Sequence, residues 1–259
     1  MIRLSNISYP VKNPLLKEIR LELKNGEIVG LIGKAGSGKS TLLKLISLQV
    51  RMPKAIKTSI TFKNRMGSMF TVKELSRLIN IPVNQMPENL DETLANFLLL
   101  SRMPYKEFMS PFKDYDFEIT NSFLERFGLS PHSRLPLRNL SSSILQRAML
   151  AYSFIREPEL MLLDNPTDNL DLEGQKKLYK ELIKFTMDGD RTALIASHDI
   201  NFISQLVDRI IVLDSGKIVE DVPIEKFSDK ILKTYLSVDT IVARNIYNGR
   251  PLIHLFPDN

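Results

Sequence analysis

Gly33-Lys34-Ala35-Gly36-Ser37-Gly38-Lys39-Ser40 is the stretch on which the reading of this chain turns. Residues 27–32 before it (EIVGLI) read as an apolar strand, and residues 41–48 after it (TLLKLISL) as the start of a helix with apolar side chains at three-to-four spacing. The stretch satisfies G-x-x-x-x-G-K-[ST] in the strand-to-helix context that the pattern requires. Its glycines let backbone N–H groups converge on phosphate oxygens with no Cβ in the way, and the helix start adds its positive dipole end. Lys39 is expected to reach the β- and γ-phosphates of a nucleotide and the Ser40 hydroxyl to hold Mg²⁺, with Lys34, Ala35, Ser37 and Thr41 completing the cradle. Four of the chain's 11 glycines, Gly30, Gly33, Gly36 and Gly38, crowd into these few residues. Phosphate binding gives that crowding a cause.

Composition bounds the rest. The 259 residues are 43% apolar and 25% charged with a net charge of +5, the proportions of a folded domain with ample chain for a core. No cysteine is present, which excludes a disulfide frame, a thiolate metal site and a cysteine nucleophile, and favours the cytosol. MIRLSNISYP lacks the blocks of a signal peptide, and the apolar runs, such as residues 97–100 and 160–163, fall far short of the ~18 residues that cross a bilayer. The chain is therefore expected not to span a membrane itself. The mild basic excess is spread along the sequence and reads as a solvated surface.

Residues 159–163 (ELMLL) form a second apolar strand, ending in Asp164, which is how a second Mg²⁺-directing carboxylate is presented beside such a loop. Asn165-Pro166-Thr167-Asp168-Asn169-Leu170-Asp171 follows, and then residues 192–197, a strand running into His198-Asp199. This order and spacing, over about residues 2–220, resembles the ATPase subunits of ABC transporters. The resemblance implies ATP/ADP and Mg²⁺ as cofactors and a role for several further residues. Tyr9 takes the place of the aromatic that stacks on adenine, and Gln85 that of the Q-loop glutamine, which reaches Mg²⁺ and water. Leu140-Ser141-Ser142-Ser143-Ile144 stands where the family has its LSGGQ signature, Asp171 matches the D-loop aspartate, and His198 the switch histidine at the γ-phosphate. Simple alternatives exist for three of them: Tyr9 packed in a sheet, Gln85 on a surface loop, His198 as a polar strand end. His132 and His254 lack supporting context.

The architecture that follows is α/β, a P-loop NTPase of ABC-ATPase type with a mainly parallel sheet core. Residues 2–25 and 58–64 supply an antiparallel β subdomain. An inserted helical subdomain spans about 87–155, broken by prolines 104, 111, 131 and 136. Strand and helix alternate over 159–214, and Ser215-Gly216 turns residues 209–214 (RIIVLD) onto 217–219 as a hairpin. The ATPase domain is expected to cover 1–222, with 223–259 a C-terminal appendage, helical over 229–242 and broken at 247–250.

Two departures from the family pattern carry functional weight. Active members have a glutamate after the strand-end aspartate to polarise the attacking water, and here the residue is Asn165. An amide cannot accept that proton at neutral pH, and general-base assistance is worth ~10²–10⁴ in rate, so hydrolysis at this chain's own site is expected to be slow while MgATP binding survives. In the signature, both glycines are serine (Ser142, Ser143) and the glutamine is Ile144. Serine still suits a helix N-terminus facing an anion, although a Cβ costs ~1–2 kcal/mol where a glycine would adopt positive φ. An unequal pair with a second, intact ATPase subunit is expected. Gln85-Met86-Pro87-Glu88-Asn89 looks like the Q-P-[ED]-[NH] run of energy-coupling-factor ATPases, which pair two unlike subunits beneath a shared membrane component. That resemblance implies uptake of a vitamin or metal ion, a transmembrane coupling component, a substrate-binding membrane subunit, a seat on the cytoplasmic face of the membrane, and no nucleic acid. The appendage would then help hold the two ATPases together. The alternatives are a soluble regulatory ATP sensor and an ABC protein acting on nucleic acid or ribosomes; the latter usually have two fused ATPase domains or long coiled-coil insertions.

Overall fold

The computed structural model describes residues 2–48, 50, 52–80, 89–107 and 109–255. Its centre is β3 (Ile28–Ile32), buried at all five positions. The strand is uniformly apolar because it pairs in parallel on both sides and is covered on both faces. The order in its sheet is β6 (Leu160–Asp164), β7 (Thr192–Ala196), β3, β8 (Arg209–Asp214) and β9 (Lys217–Pro223). Only β9 is antiparallel, joined to β8 through Ser215 and Gly216, both at positive φ (50° and 81°) as a two-residue hairpin turn demands. The expected hairpin is present and longer than the sequence suggested.

Alternation along the strands separates two apolar clusters. Val29, Leu31, Leu162, Leu194 and Leu213 face α1 (Lys39–Ile46) and a second sheet. That antiparallel sheet runs β2 (Leu16–Leu23), β1 (Ile2–Tyr9), β4 (Ile60–Phe62), β5 (Arg65–Met66). Two short helices flank its second hairpin, α2 (Lys54–Thr58) and α3 (Val72–Leu78). On the opposite face Ile28, Ile32, Met161, Ile195 and Val212 meet the helical half of the molecule. There lie α4 (Leu94–Leu100), α5 (Asp114–Arg126), α6 (Ser142–Ile155), α7 (Leu172–Thr186) and α8 (Ile200–Leu206). Gly30 belongs to this packing rather than to phosphate binding: a Cβ there would lie 2.6 Å from Ile203 Cγ2 of α8.

The inserted helical region has its own polar frame. Arg102, 3% exposed, donates to Asp116 (2.9 Å), the Ile155 carbonyl (2.9 Å) and Glu157 (3.1 Å), so a buried guanidinium is neutralised and hydrogen-bonded. Phe154 of α6 meets Phe185 of α7 edge-on at 5.8 Å, joining the helical region to the core.

The C-terminal part departs from the expected helix over 229–242. A short helix α9 (Asp229–Ile231) runs into a π-helical turn, Leu232–Leu236, and stops at Ser237, whose φ is 57°. Thr240–Arg244 is then a strand, β10, paired antiparallel with β11 (Pro251–Leu255). Two signals in the sequence account for this: the β-branched run Thr240-Ile241-Val242 favours a pleated strand, and Asn248-Gly249 favours a turn. The hairpin packs on α8 of its own chain, where Asn201 donates to the Ile253 carbonyl (3.0 Å) and accepts from the Ile253 N–H (2.8 Å). Ile224, Phe227, Leu232 and Ile253 join the main apolar cluster, so the appendage and the ATPase core share one interior.

Candidate functional site

Lys39 and Asp164 lie beyond the C-terminal ends of different parallel strands, on the same side of the sheet, where their charges interact. Lys39 opens α1, directly after the glycine-rich loop that follows β3, and Asp164 closes β6. The Lys39 ammonium is buried and donates to the carbonyls of Gly33 (2.7 Å) and Lys34 (3.0 Å), so the loop wraps around its own lysine. Burial pushes its pKa below the ordinary 10.5, and the charge of Asp164 opposes that shift.

The loop fits a nucleotide's phosphates on three observations. A Cβ at Gly33 would lie 2.2 Å from the Leu213 carbonyl and 2.8 Å from Ser37 Oγ, so only glycine lets the chain leave β3 in this direction. Ser37 is 5% exposed, and its hydroxyl has no hydrogen-bond partner among the described residues, leaving it available to a phosphate oxygen. Helix α1 starts from Gly38 (φ 108°) with no side-chain cap and no acidic residue in its first turn, so the amides of Lys39, Ser40 and Thr41 remain open to an anion. The Ser40 side chain is exposed at this helix start. Lys34, Ala35 and Gly36 are exposed along the loop. Ser40 and Asp164 are the described residues suited to hold Mg²⁺; no cluster of three or more acidic or histidine side chains placed to hold a metal ion exists among the described residues.

Around this centre the other expected residues fall as follows. Tyr9 is half-buried at the end of β1. Gln85 lies outside the described residues. Asn165 adopts φ 46°, donates its N–H to the Ala196 carbonyl (2.7 Å) and accepts the His198 N–H on its side-chain oxygen (3.2 Å). His198 itself is exposed. Asp171 caps α7, its carboxylate accepting the Gly174 N–H at 2.8 Å. Ser141 caps α6 by accepting from the Ile144 N–H at 3.4 Å, and Ser142 and Ser143 lie in that helix's first turn. Neither has positive φ, so the cost of a Cβ in a left-handed backbone does not apply to either serine. The Ser143 hydroxyl is buried without a hydrogen-bond partner among the described residues.

Two contributors escaped the sequence reading. Asn80 is fully buried and bridges the Leu162 backbone of β6, donating to its carbonyl (2.9 Å) and accepting its N–H. It fixes the segment leading to residues 81–88 against the strand that bears Asp164; a polar residue in an apolar run was the only signal. The other is Ser237, whose hydroxyl accepts from Lys34 of the phosphate loop at 2.8 Å.

Comparison with known proteins agrees with this geometry. Residues 16–168 match the ABC transporter family model. An uncharacterised ABC transporter ATP-binding protein of Methanocaldococcus jannaschii is 30% identical over 92% of this chain and 91% of its own. The iron(3+)-hydroxamate import ATP-binding protein of Bacillus subtilis is 27% identical over 92% and 88%. Among solved structures, the dimeric ATP-binding cassette MJ0796 bound to ADP and phosphate superposes with a TM-score of 0.72 at 25% identity, covering 88% of this chain and all of that one. An ABC transporter assigned to the metal-chelate type, in an inward-facing conformation, superposes with a TM-score of 0.78 at 20% identity over 100% and 97%, which speaks for the fold alone. The chain is a P-loop NTPase that takes ATP or ADP with Mg²⁺, and it belongs to the ABC transporter ATP-binding family.

Proposed function

We propose that this chain is the ATP-binding subunit of a membrane importer, seated on the cytoplasmic face, which holds MgATP firmly and hydrolyses it slowly at its own site. A second ATPase subunit, carrying the carboxylate this one lacks, would complete the pair beneath a transmembrane coupling component and a substrate-binding membrane subunit. The observation that carries the reading is Asn165. Its amide has no basic site for a water proton, and its oxygen already accepts the His198 N–H.

The chain's other residues remain suited to nucleotide capture. Lys39 and the first-turn amides of α1 would neutralise the β- and γ-phosphates, with Ser40 and Asp164 holding Mg²⁺. Held there, the Mg²⁺ would supply charge neutralisation to the phosphates. The capped N-terminus of α6, with Ser142 and Ser143 at negative φ, would offer its amides to a nucleotide held by the partner. His198 would contact the γ-phosphate and Asp171 would face the partner across the pair.

Residues 85–89 and the unequal site support an energy-coupling-factor arrangement with a vitamin or metal ion as cargo. A metal-chelate importer with two identical ATPases is the second reading, favoured by the iron(3+)-hydroxamate import relative. Expressing the chain alone and measuring turnover and nucleotide affinity tests the slow site: tight MgATP binding with turnover far below that of the assembled transporter is expected. A brisk ATPase from the isolated chain sinks the unequal pair. Affinity purification from membranes then separates the two arrangements, since an unlike second ATPase supports the first and two copies of this chain the second.

A further inference from the structure

We propose that Ser237, in the C-terminal appendage, is a positioning residue for the phosphate loop, acting through Lys34. The two lie 203 residues apart in sequence, and Lys34 Nζ donates to Ser237 Oγ at 2.8 Å. The carbonyl of the same Lys34 accepts from Lys39 Nζ at 3.0 Å. One residue thus joins the phosphate-binding ammonium to the appendage, by its backbone on one side and its side chain on the other.

The anchor at the far end is firm. Leu232 is fully buried in the main apolar cluster, and Tyr235 donates to Glu220 of β9 at 3.2 Å. Lys233 and Asp239, paired at 2.7 Å, bracket the turn that presents Ser237. The turn is also unusual. It ends a π-helical segment, and Ser237 sits at φ 57°, ψ 38°, a left-handed conformation that a side chain opposes and that glycine or asparagine adopts with ease. This left-handed turn places the Ser237 hydroxyl on a residue of the phosphate loop.

The physical role is preorganisation. Lys34 and its neighbours Ala35 and Gly36 are exposed, and an exposed loop is ordered at an entropic cost when phosphate arrives. Tying Lys34 to Ser237, an exposed residue on a turn anchored through the buried Leu232, removes part of that cost before the nucleotide binds, and makes the appendage respond to nucleotide in return.

The conformation of Ser237 supplies a clean test. Ser237→Gly deletes the hydroxyl and suits the left-handed backbone, so the fold is kept while the link is lost. Ser237→Asn suits the same backbone and retains an acceptor oxygen. With full-length protein and MgADP as the probe, Ser237→Gly is expected to raise Kd about three- to fivefold, the effect of one hydrogen bond of ordinary net strength. Its melting temperature should not fall, and Ser237→Asn should bind within about twofold of the native chain. Amides of residues 232–244 should exchange more slowly with MgADP in the native protein and show no such response in Ser237→Gly. In a Lys34→Met background, where the donor is gone, Ser237→Gly should have no further effect on Kd. A native Kd for Ser237→Gly overturns the proposal, as does full additivity with Lys34→Met or an appendage whose exchange ignores MgADP. A merely structural serine would move stability and leave these readouts alone.

Discussion

Asn165 does two things that a glutamate in its place does less well. It occupies φ 46°, where asparagine is among the few side chains tolerated, and its short arm reaches the His198 N–H while its own backbone bonds Ala196 and Asp168. The ends of β6 and β7 are thereby tied together beside Lys39. Asn165→Glu removes that tie and introduces a residue less at ease with positive φ, which should lower stability by about 1 kcal/mol. It also introduces a carboxylate able to take the proton of an attacking water. Turnover at this chain's own site, measured in the assembled complex, should rise at least about tenfold toward the ~10²–10⁴ that a general base contributes, with MgATP affinity little changed. No rise, with binding intact, would mean that something other than the missing carboxylate limits the chemistry. At this scale much of the site was legible in the sequence. Lys39, Ser40 and Asp164 occupy positions fixed by a local pattern and by strand ends, whereas the Lys34–Ser237 and Asn80–Leu162 contacts join residues far apart in sequence and leave no local pattern at all.

Among the elements, α3 shows how little chain is needed to define a helix when its first turn is complete. Thr71 accepts the Glu74 N–H at 3.2 Å, Glu74 accepts the Thr71 N–H at 2.7 Å, and Arg65 donates to the same carboxylate at 2.8 Å. The Arg65 bond first, then those from Thr71, hold the Glu74 pKa down from the ordinary 4.5 to about 2. A carboxyl lowered on folding contributes fully above its unfolded pKa and loses its contribution as the pH falls toward the folded one. Hydrogen exchange of residues 72–78 should therefore quicken relative to the rest of the chain between pH 4.5 and about 2, and Glu74→Gln should abolish that pH response. Element types were read correctly wherever one period dominated, as in the uniformly buried β3 and in α7, whose apolar stripe faces the core. The appendage reads as one continuous helix because Ile231, Leu232, Tyr235 and Leu236 hold helical spacing up to Ser237. Beyond it Ile241 and Val242 continue the apolar run by chance while the backbone changes to a strand.

The whole molecule gives the appendage a meaning that its position at the end of the sequence does not. Ile224, Phe227, Leu232 and Ile253 are each at most 7% exposed and belong to the same cluster as β3, α6 and α7. Losing one such side chain costs ~2–5 kcal/mol, and a domain's entire stability is only ~5–15 kcal/mol. Truncation after residue 222 should therefore leave a chain that is aggregated or lacks a cooperative melting transition, as calorimetry and near-ultraviolet circular dichroism would register. A failure of that fragment to pair with a second ATPase would say nothing about an interface. The hairpin tip separates the two questions, because Ile246 and Tyr247 are 89% and 91% exposed and contribute almost nothing to the interior. Ile246→Ser with Tyr247→Ser should keep the melting temperature within about 1 °C. If the appendage holds the ATPase pair together through this tip, the same double variant should lose its partner in size-exclusion chromatography of the complex while still binding MgATP. If pairing is retained, the exposed tip is not the contact, and the appendage acts within its own chain, through the core it completes and the phosphate loop it reaches.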